Sequence, residues 1–410
     1  MKHKSIVVSS TLEKDGRTTP EYNFLRSFHR DLRAFGRYDI SLVIVGKQAF
    51  FSWSVLYNRT ASKALRAAVS KSRLEQNRQF LDNFEQDFPG IFSTEFDIDT
   101  DRFEPEIVEC SDDPDQLALF RYFAHQQSMA SKVARGRFAR FCIFDASVKA
   151  RPLAGIIGLS SPVYFNGARD GHVGWGPIRN KIGDDWVPDV EAKARRDKGL
   201  LHVSHVTIST PIPPYDKLKF GKLISALCFS PEVIGYLEEK YGCPIVALTT
   251  TGGWGVNAAP YQRIRLGRNQ QGDDRHLFHA VEPKHPSLNT TLDYFSDDTV
   301  ELALEMHKGC TNESSTDFEN WREKAALRNA LLQWSLKYLG IPRKAAYVNE
   351  VGHFFGSVTD QATQFLNDVR SNDIPKERTI QTSDALSYWR SKTERSVREN
   401  VSTPRLSEDI

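Results

Sequence analysis

The spacing of apolar residues divides the chain into helical ends and a mixed middle. "TASKALRAAVSKSRLEQNRQFLDNFEQDF" carries Leu65, Val69, Leu81 and Phe84 at broadly helical intervals, with basic residues between them. This predicts that residues 1–90 are mainly helical, closed by the breakers Pro89 and Gly90. From residue 104 the period changes. "EPEIVEC", "RFCIFDAS", "LAGIIGLSSPVYF", "HVSHVTISTPI", "PIVALTTT" and "RIRLGR" read as strands. "PDQLALFRYFAHQQSMASKVARGRF", with Leu119, Phe120, Phe123 and Ala124 on one face, reads as a helix, and "DKLKFGKLISALCFSPEVIGYLEEKYG" as one or two. The order is strand, helix, three strands, helix, strand, short helix, strand, which predicts an α/β domain with a mixed sheet. The 201–212 and 244–251 strands should lie adjacent and parallel, because a helix crosses between them. After about residue 285 the pattern turns helical again. "TDFENWREKAALRNALLQWSLKYLGIP" opens with the capping box Thr316/Glu319, lines one face with Leu327, Leu331, Trp334 and Tyr338, and stops at Gly340 and Pro342. The expected organisation is a basic helical region at 1–95, an α/β domain at 96–285, a helical region at 286–371 and a polar, loosely ordered tail at 372–410.

Charge refines this picture. The net charge is only +2, but residues 1–80 hold 15 Lys/Arg against 6 Asp/Glu, residues 91–120 hold 10 acids against one Arg, and residues 121–222 hold 17 basic against 8 acidic side chains. Two basic regions flank an acidic belt. Either faces of opposite sign pack together, or a basic surface takes nucleic-acid phosphates. On the second reading Lys132, Arg135, Arg137, Arg140, Lys193, Arg195 and Arg196 contribute, and Trp175 stacks on bases. The longest apolar run is far short of the roughly 20 residues that span a bilayer. No membrane is expected, and the location expected is cytoplasmic. The five cysteines form no C-x-x-C pair and read as reduced thiols.

The stretch "ALTTTGGWGVNAAPYQRIRLGR" holds the sharpest motif question. Gly253-Trp254-Gly255-Val256-Asn257-Ala258 fits G-x-G-x-x-A after a strand. Pro260 and the early onset of "RIRLGR" leave no room for the crossover helix of a dinucleotide site. The stretch instead resembles the ending of a GCN5-related N-acetyltransferase fold: strand, short helix with an Asn and a Tyr, final strand. The resemblance implies that the Tyr261 hydroxyl protonates the leaving thiolate of acetyl-coenzyme A, with Thr207, Lys219, Gly221, Lys222 and Asn257 toward the coenzyme. The loop expected to hold its phosphates reads Lys217-Leu-Lys219-Phe-Gly221-Lys222, with one glycine of the usual fingerprint and three lysines.

Four motifs in order over roughly residues 104–285 resemble the A component of Druantia anti-phage defence systems. They include Arg169-Asp170 followed by Gly174-Trp175, and the small-residue loop, Tyr261 and Leu266-Gly267. Phage Mom DNA-modification proteins are similar in the ending. Where the family has Gly-Thr before the Tyr and Asn-Trp after it, this chain has "NAAPY" and "QRIRL". The resemblance implies a defence-system component with DNA or RNA and other subunits as partners, compatible with a homo-oligomer. If it is catalytic, Tyr261 is the general acid and Asp170 a positioning or base residue. Two rivals stay open: a non-catalytic DNA-binding or assembly subunit, and a metal-dependent nuclease using Asp273, Asp274, His276, His279 and Glu282, whose histidines share a face if that segment is helical.

Overall fold

The structure is a computed structural model. It describes residues 6–14, 16–56, 59–89, 98–127, 136–253, 255–256, 261–268, 274–284, 288–311, 318–322, 324–342, 347–369 and 374–402. The chain divides into two compact units. One comprises residues 1–78, 126–130 and 288–349, the other residues 79–125, 131–287 and 350–410.

The first unit is not all helical. The Pro20–Ala34 helix is present, N-capped by Thr19, but Tyr38–Val45 and Gln48–Val55 form an antiparallel hairpin to which Ile6–Thr11 adds a third strand. The hairpin turns at Gly46, whose φ of +59° suits glycine. Phe28 packs on Trp53 at 5.6 Å and stacks on Phe295 at 4.9 Å. Buried Asp31 accepts from the Ser296 backbone and hydroxyl at 2.8 Å and from Thr299 Oγ1 at 2.7 Å, which fixes the start of the Asp297–Cys310 helix.

The second unit is a seven-stranded mixed sheet of β1 (Pro105–Glu109), β2 (Phe138–Asp145), β3 (Leu153–Ser160), β4 (Val203–Pro211), β5 (Ala247–Gly252), β6 (His279–Val281) and β7 (Gly352–Ser357). The spatial order is β6-β7-β5-β4-β3-β2-β1, and only β4 and β5 are parallel. That parallel pair is as the sequence predicts. The last two positions are not. The expected final strand, Arg265–Arg268, pairs with Asp274–His276 in a separate two-stranded sheet, and the place beside β5 is taken by β7.

Helices cover both faces: α1 (Pro114–His125), α2 (Gly167–Val173), α3 (Val190–Leu200), α4 (Gly221–Leu227), α5 (Pro231–Tyr241) and α6 (Thr382–Ser402). The sheet strands alternate between two cores, as pleating requires. Leu248 and Phe354 face α4 and α5, whereas Ala247 and Phe355 face the core that contains Ala168, Val173 and Trp175. The expected loose tail is instead partly helix α6, whose Trp389 is fully buried against Phe103 and Phe220. A polar sequence hides this anchor, because a few apolar positions on one helix face suffice for docking. Among the described residues no helix is long and apolar enough to cross a membrane.

Candidate functional site

The site forms where the parallel strands part. β4 and β5 pair from Val203↔Ala247 to Val206↔Thr250. Beyond this, β4 carries a register shift between Val206 and Ile208 and continues paired with β3 alone. One inserted residue flips every later side chain to the other face. Ser209 therefore points toward α4 and not toward the face that Val203 and His205 occupy. Its hydroxyl lies 3.0 Å from Ser225 Oγ, which donates to the Gly221 carbonyl at 2.8 Å. Ser209 also hydrogen-bonds the Cys228 thiol, which burial pushes up to about 12.

Tyr261 joins this cluster from the short turn Tyr261–Arg263. Its ring packs at 5.2 Å from both Phe278 and Phe354. Burial pushes its hydroxyl up to about 12, partly offset by a hydrogen bond with Thr250, while Cys228 lies close enough to act on it. Thr250 Oγ1 in turn donates to the Val206 carbonyl at 2.9 Å, the last residue of the paired stretch. The phenol therefore stays a neutral donor at physiological pH, placed at the divergence of β4 and β5. In the glycine-rich stretch that precedes Tyr261, Gly255 has a left-handed φ of +90°.

A collar of cations adjoins the cluster. The 214–222 turn is held from beneath: Trp389 Nε1 donates to the Leu218 carbonyl at 2.9 Å, and Tyr215 donates to buried Asp145 at 2.8 Å. Tyr388 of α6 bonds the Arg263 carbonyl and the Arg265 backbone N–H, both at 3.3 Å, and Lys392 sits 5.3 Å over its ring. These anchors gather Lys219, Lys222, Arg263, Arg265 and Lys392 from three chain segments. Burial lowers the Lys222 pKa, and all four other cations lower it further.

Asp170 lies elsewhere. Arg169 donates to it at 2.6 Å and 2.8 Å, and Arg196 approaches at 3.4 Å. Its neighbour Asn166 reaches His353, which alternates with Phe354 on β7 and so faces away from Tyr261. Tyr261 and Asp170 thus occupy opposite faces of the sheet, and a shared acid–base site on them is corrected. The Asp170 face carries instead His205 (3.0 Å from Thr249 Oγ1), His353, and the pair His172/His279 with Nε2 atoms 3.2 Å apart. His205 and His279 are each pushed down to about 4, chiefly by burial. Spacing in sequence gave no signal of this face, because its histidines come from four separate segments.

The remaining expected residues divide as follows. Thr207 sits at the bulge and donates to the Gly158 carbonyl at 3.0 Å, away from the cluster. Lys219 and Lys222 belong to the collar, and Gly221 begins α4. Asn257, Lys132, Arg135 and Asp273 lie outside the described residues. Trp175 is buried, donates to the Leu366 carbonyl and lies under Arg169, so it presents no ring for stacking. Arg196 is buried too, at 3% exposure, and bonds the Gly176 carbonyl. Arg137 lies over the Tyr241 ring and Arg140 over Phe138 and Phe120, which commits both to packing. Lys193 and Arg195 are exposed on α3, Lys193 bonded to Asp197 at 2.6 Å. His276 and His279 stand on separate short strands, so the helical face imagined for a metal does not form. No group of three or more His, Cys, Asp or Glu among the described residues is placed to hold a metal ion.

Residues 56–252 match the family model described as Druantia protein DruA. The Druantia protein DruA of Escherichia coli (strain UMEA 4076-1) is 24% identical over 216 residues, covering 50% of this chain and 49% of that protein. The chain thus spans about half the length of the curated relative it matches. No solved structure matches it. The matched region contains β1–β5 and the Arg169-Asp170 motif, so over residues 56–252 the chain is similar to the DruA family of Druantia proteins.

Proposed function

We propose that the chain is a component of a Druantia anti-phage defence system whose α/β domain acts on nucleic acid as an acetyltransferase-like unit. One observation carries this reading: the neutral hydroxyl of half-buried Tyr261, at the divergence of two parallel strands, is joined by a single turn to a five-cation collar. The collar fits phosphates, whether of a coenzyme or of a nucleic-acid strand. A backbone cradle is less developed. A Cβ on Gly221 would meet only Pro211, at 3.8 Å, so nothing there requires glycine. Lys219 and Lys222 would hold the phosphates of acetyl-coenzyme A, which when bound supplies the acyl thioester. Tyr261 would hold a proton for the leaving sulfur, and Ser209 and Thr250 would orient groups beside it.

A second reading, a non-catalytic nucleic-acid-binding subunit, is favoured by one fact. Among the described residues no carboxylate or imidazole hydrogen-bonds to the Tyr261 cluster. The test is titration of the purified chain with acetyl-coenzyme A and with labelled DNA and RNA, repeated on Lys219→Glu/Lys222→Glu. Coenzyme binding that the double variant loses supports the transferase reading, and nucleic-acid binding alone supports the second. Binding of neither ligand refutes both.

A further inference from the structure

The strands Arg179–Ile182 and Asp185–Pro188 form a ribbon between α2 and α3. It turns at Gly183 with φ +64° and is tied at its base, where Asp189 N–H donates to the Ile178 carbonyl at 2.8 Å and Asn180 Nδ2 donates to the Asp189 carboxylate at 3.3 Å. All eight strand residues are exposed, Trp186 at 64%. An isolated two-stranded ribbon without a core of its own is marginal in water. An exposed tryptophan at its centre therefore marks a surface that something covers.

Register decides what. Trp186 pairs with Lys181, and Pro188 with Arg179. Alternation puts Arg179, Lys181, Trp186 and Pro188 on one face and Asn180, Ile182, Asp185 and Val187 on the other. The single carboxylate of the strands is thus segregated from the two cations. Among the described residues neither Arg179 nor Lys181 has a carboxylate partner, and Trp186 has no ring or hydrogen-bond partner. Exposed Lys193, Arg195 and Lys198 follow on α3.

We propose that this ribbon face binds single-stranded nucleic acid, Trp186 stacking on an unpaired base while Arg179 and Lys181 take the adjoining phosphates. Charge complementarity selects a polyanion, and the free indole face selects one that carries bases. The inference rests on the nucleic-acid reading above but uses an element separate from the Tyr261 site.

The experiment measures fluorescence anisotropy of the full chain with a labelled single-stranded DNA, an abasic phosphodiester chain of equal length and a duplex. Trp186→Ala is expected to weaken the base-bearing strand about 5- to 150-fold and to leave the abasic chain almost unchanged, while Trp186→Phe keeps most of the affinity. Arg179→Glu/Lys181→Glu is expected to weaken both and to flatten the salt dependence. Unchanged binding in Trp186→Ala, beside a wild type that binds, overturns the ribbon site alone. A wild type that binds no nucleic acid overturns both this site and the nucleic-acid reading. A change of sedimentation in Trp186→Ala with binding intact shows a protein interface and overturns the proposal.

Discussion

Trp389→Ala tests whether the C-terminal helix is part of the α/β unit. The side chain is fully buried, its ring 4.9 Å from Phe220 and 5.6 Å from Phe103, and its N–H caps the Leu218 carbonyl. Truncating a buried Trp to Ala costs about 3–5 kcal/mol through lost transfer energy and the cavity left behind. The Leu218 carbonyl keeps a weaker partner in Thr393 Oγ1 at 3.4 Å, so its exposure adds little. A loss of about 4 kcal/mol is a large share of a typical stability of about 5–15 kcal/mol. For a unit of this size it lowers Tm by roughly 8–16 °C. Urea and thermal unfolding of the full chain, followed by circular dichroism, measure the change. Trp389→Phe keeps a ring but loses the N–H, and should fall between. The same anchor holds the turn that carries Lys219 and Lys222, so polyanion affinity should drop at temperatures where the variant is still folded. A loss below about 1 kcal/mol would show that α6 is a dispensable appendage and that the collar is not built on it.

Further outcomes can be checked. Tyr261→Phe keeps the ring between Phe278 and Phe354 and should cost only about 1 kcal/mol in stability for the hydrogen bond with Thr250; if the phenol transfers a proton, defence activity in a phage-plating assay collapses while the melting curve barely moves. Gly199→Ala should be destabilising, since its Cβ would fall 2.4 Å from the Trp175 ring and 2.8 Å from the Leu366 carbonyl, whereas Gly221→Ala should fold normally; thermal shift compares the two. His205 and His279 have native pKa values of about 4, below the ordinary 6.5. Between these values the unfolded chain takes up protons that the native one refuses, so stability should fall as pH drops from 6.5 toward 4. The slope is up to about 1.4 kcal/mol per pH unit for each histidine. Urea midpoints at pH 5 and 7 measure it, and an equal slope in His205→Gln/His279→Gln would refute the assignment.

The parallel pair β4/β5 was legible because two β-branched runs flank a helix-period segment, a local pattern with one handed solution. The hairpin at Tyr38–Val55 was equally local, its alternation broken by Gly46-Lys47, but the helical spacing of the neighbouring 59–87 segment overshadowed it. β7 was not legible, since nothing in "GHFFGS" says that it pairs with a strand some 100 residues upstream. The sequence did not show that Tyr261 bonds Thr250 on β5 while Thr207, expected toward the coenzyme, turns away from it. The bulge at Thr207 explains the difference: it turns that hydroxyl to β3 and swings Ser209 round in its stead. Arg196 and Trp175 read as surface groups because charge and aromaticity in sequence do not report burial.

The insertion of β7 between β5 and β6 sets a clock on synthesis. β5 is finished at Gly252, yet the strand that covers its edge begins at Gly352. At about 5–20 residues per second, the ribosome leaves that edge, with its row of buried-type residues Ala247, Leu248, Thr249 and Thr250, without its neighbour for roughly 5–20 s. An unpaired, apolar strand edge of that lifetime invites mispairing with other nascent chains. The segment 56–252 alone never acquires its cover, so expressed as a fragment it should collect in aggregates or on chaperones, while a chain that reaches past Ser357 can close its sheet.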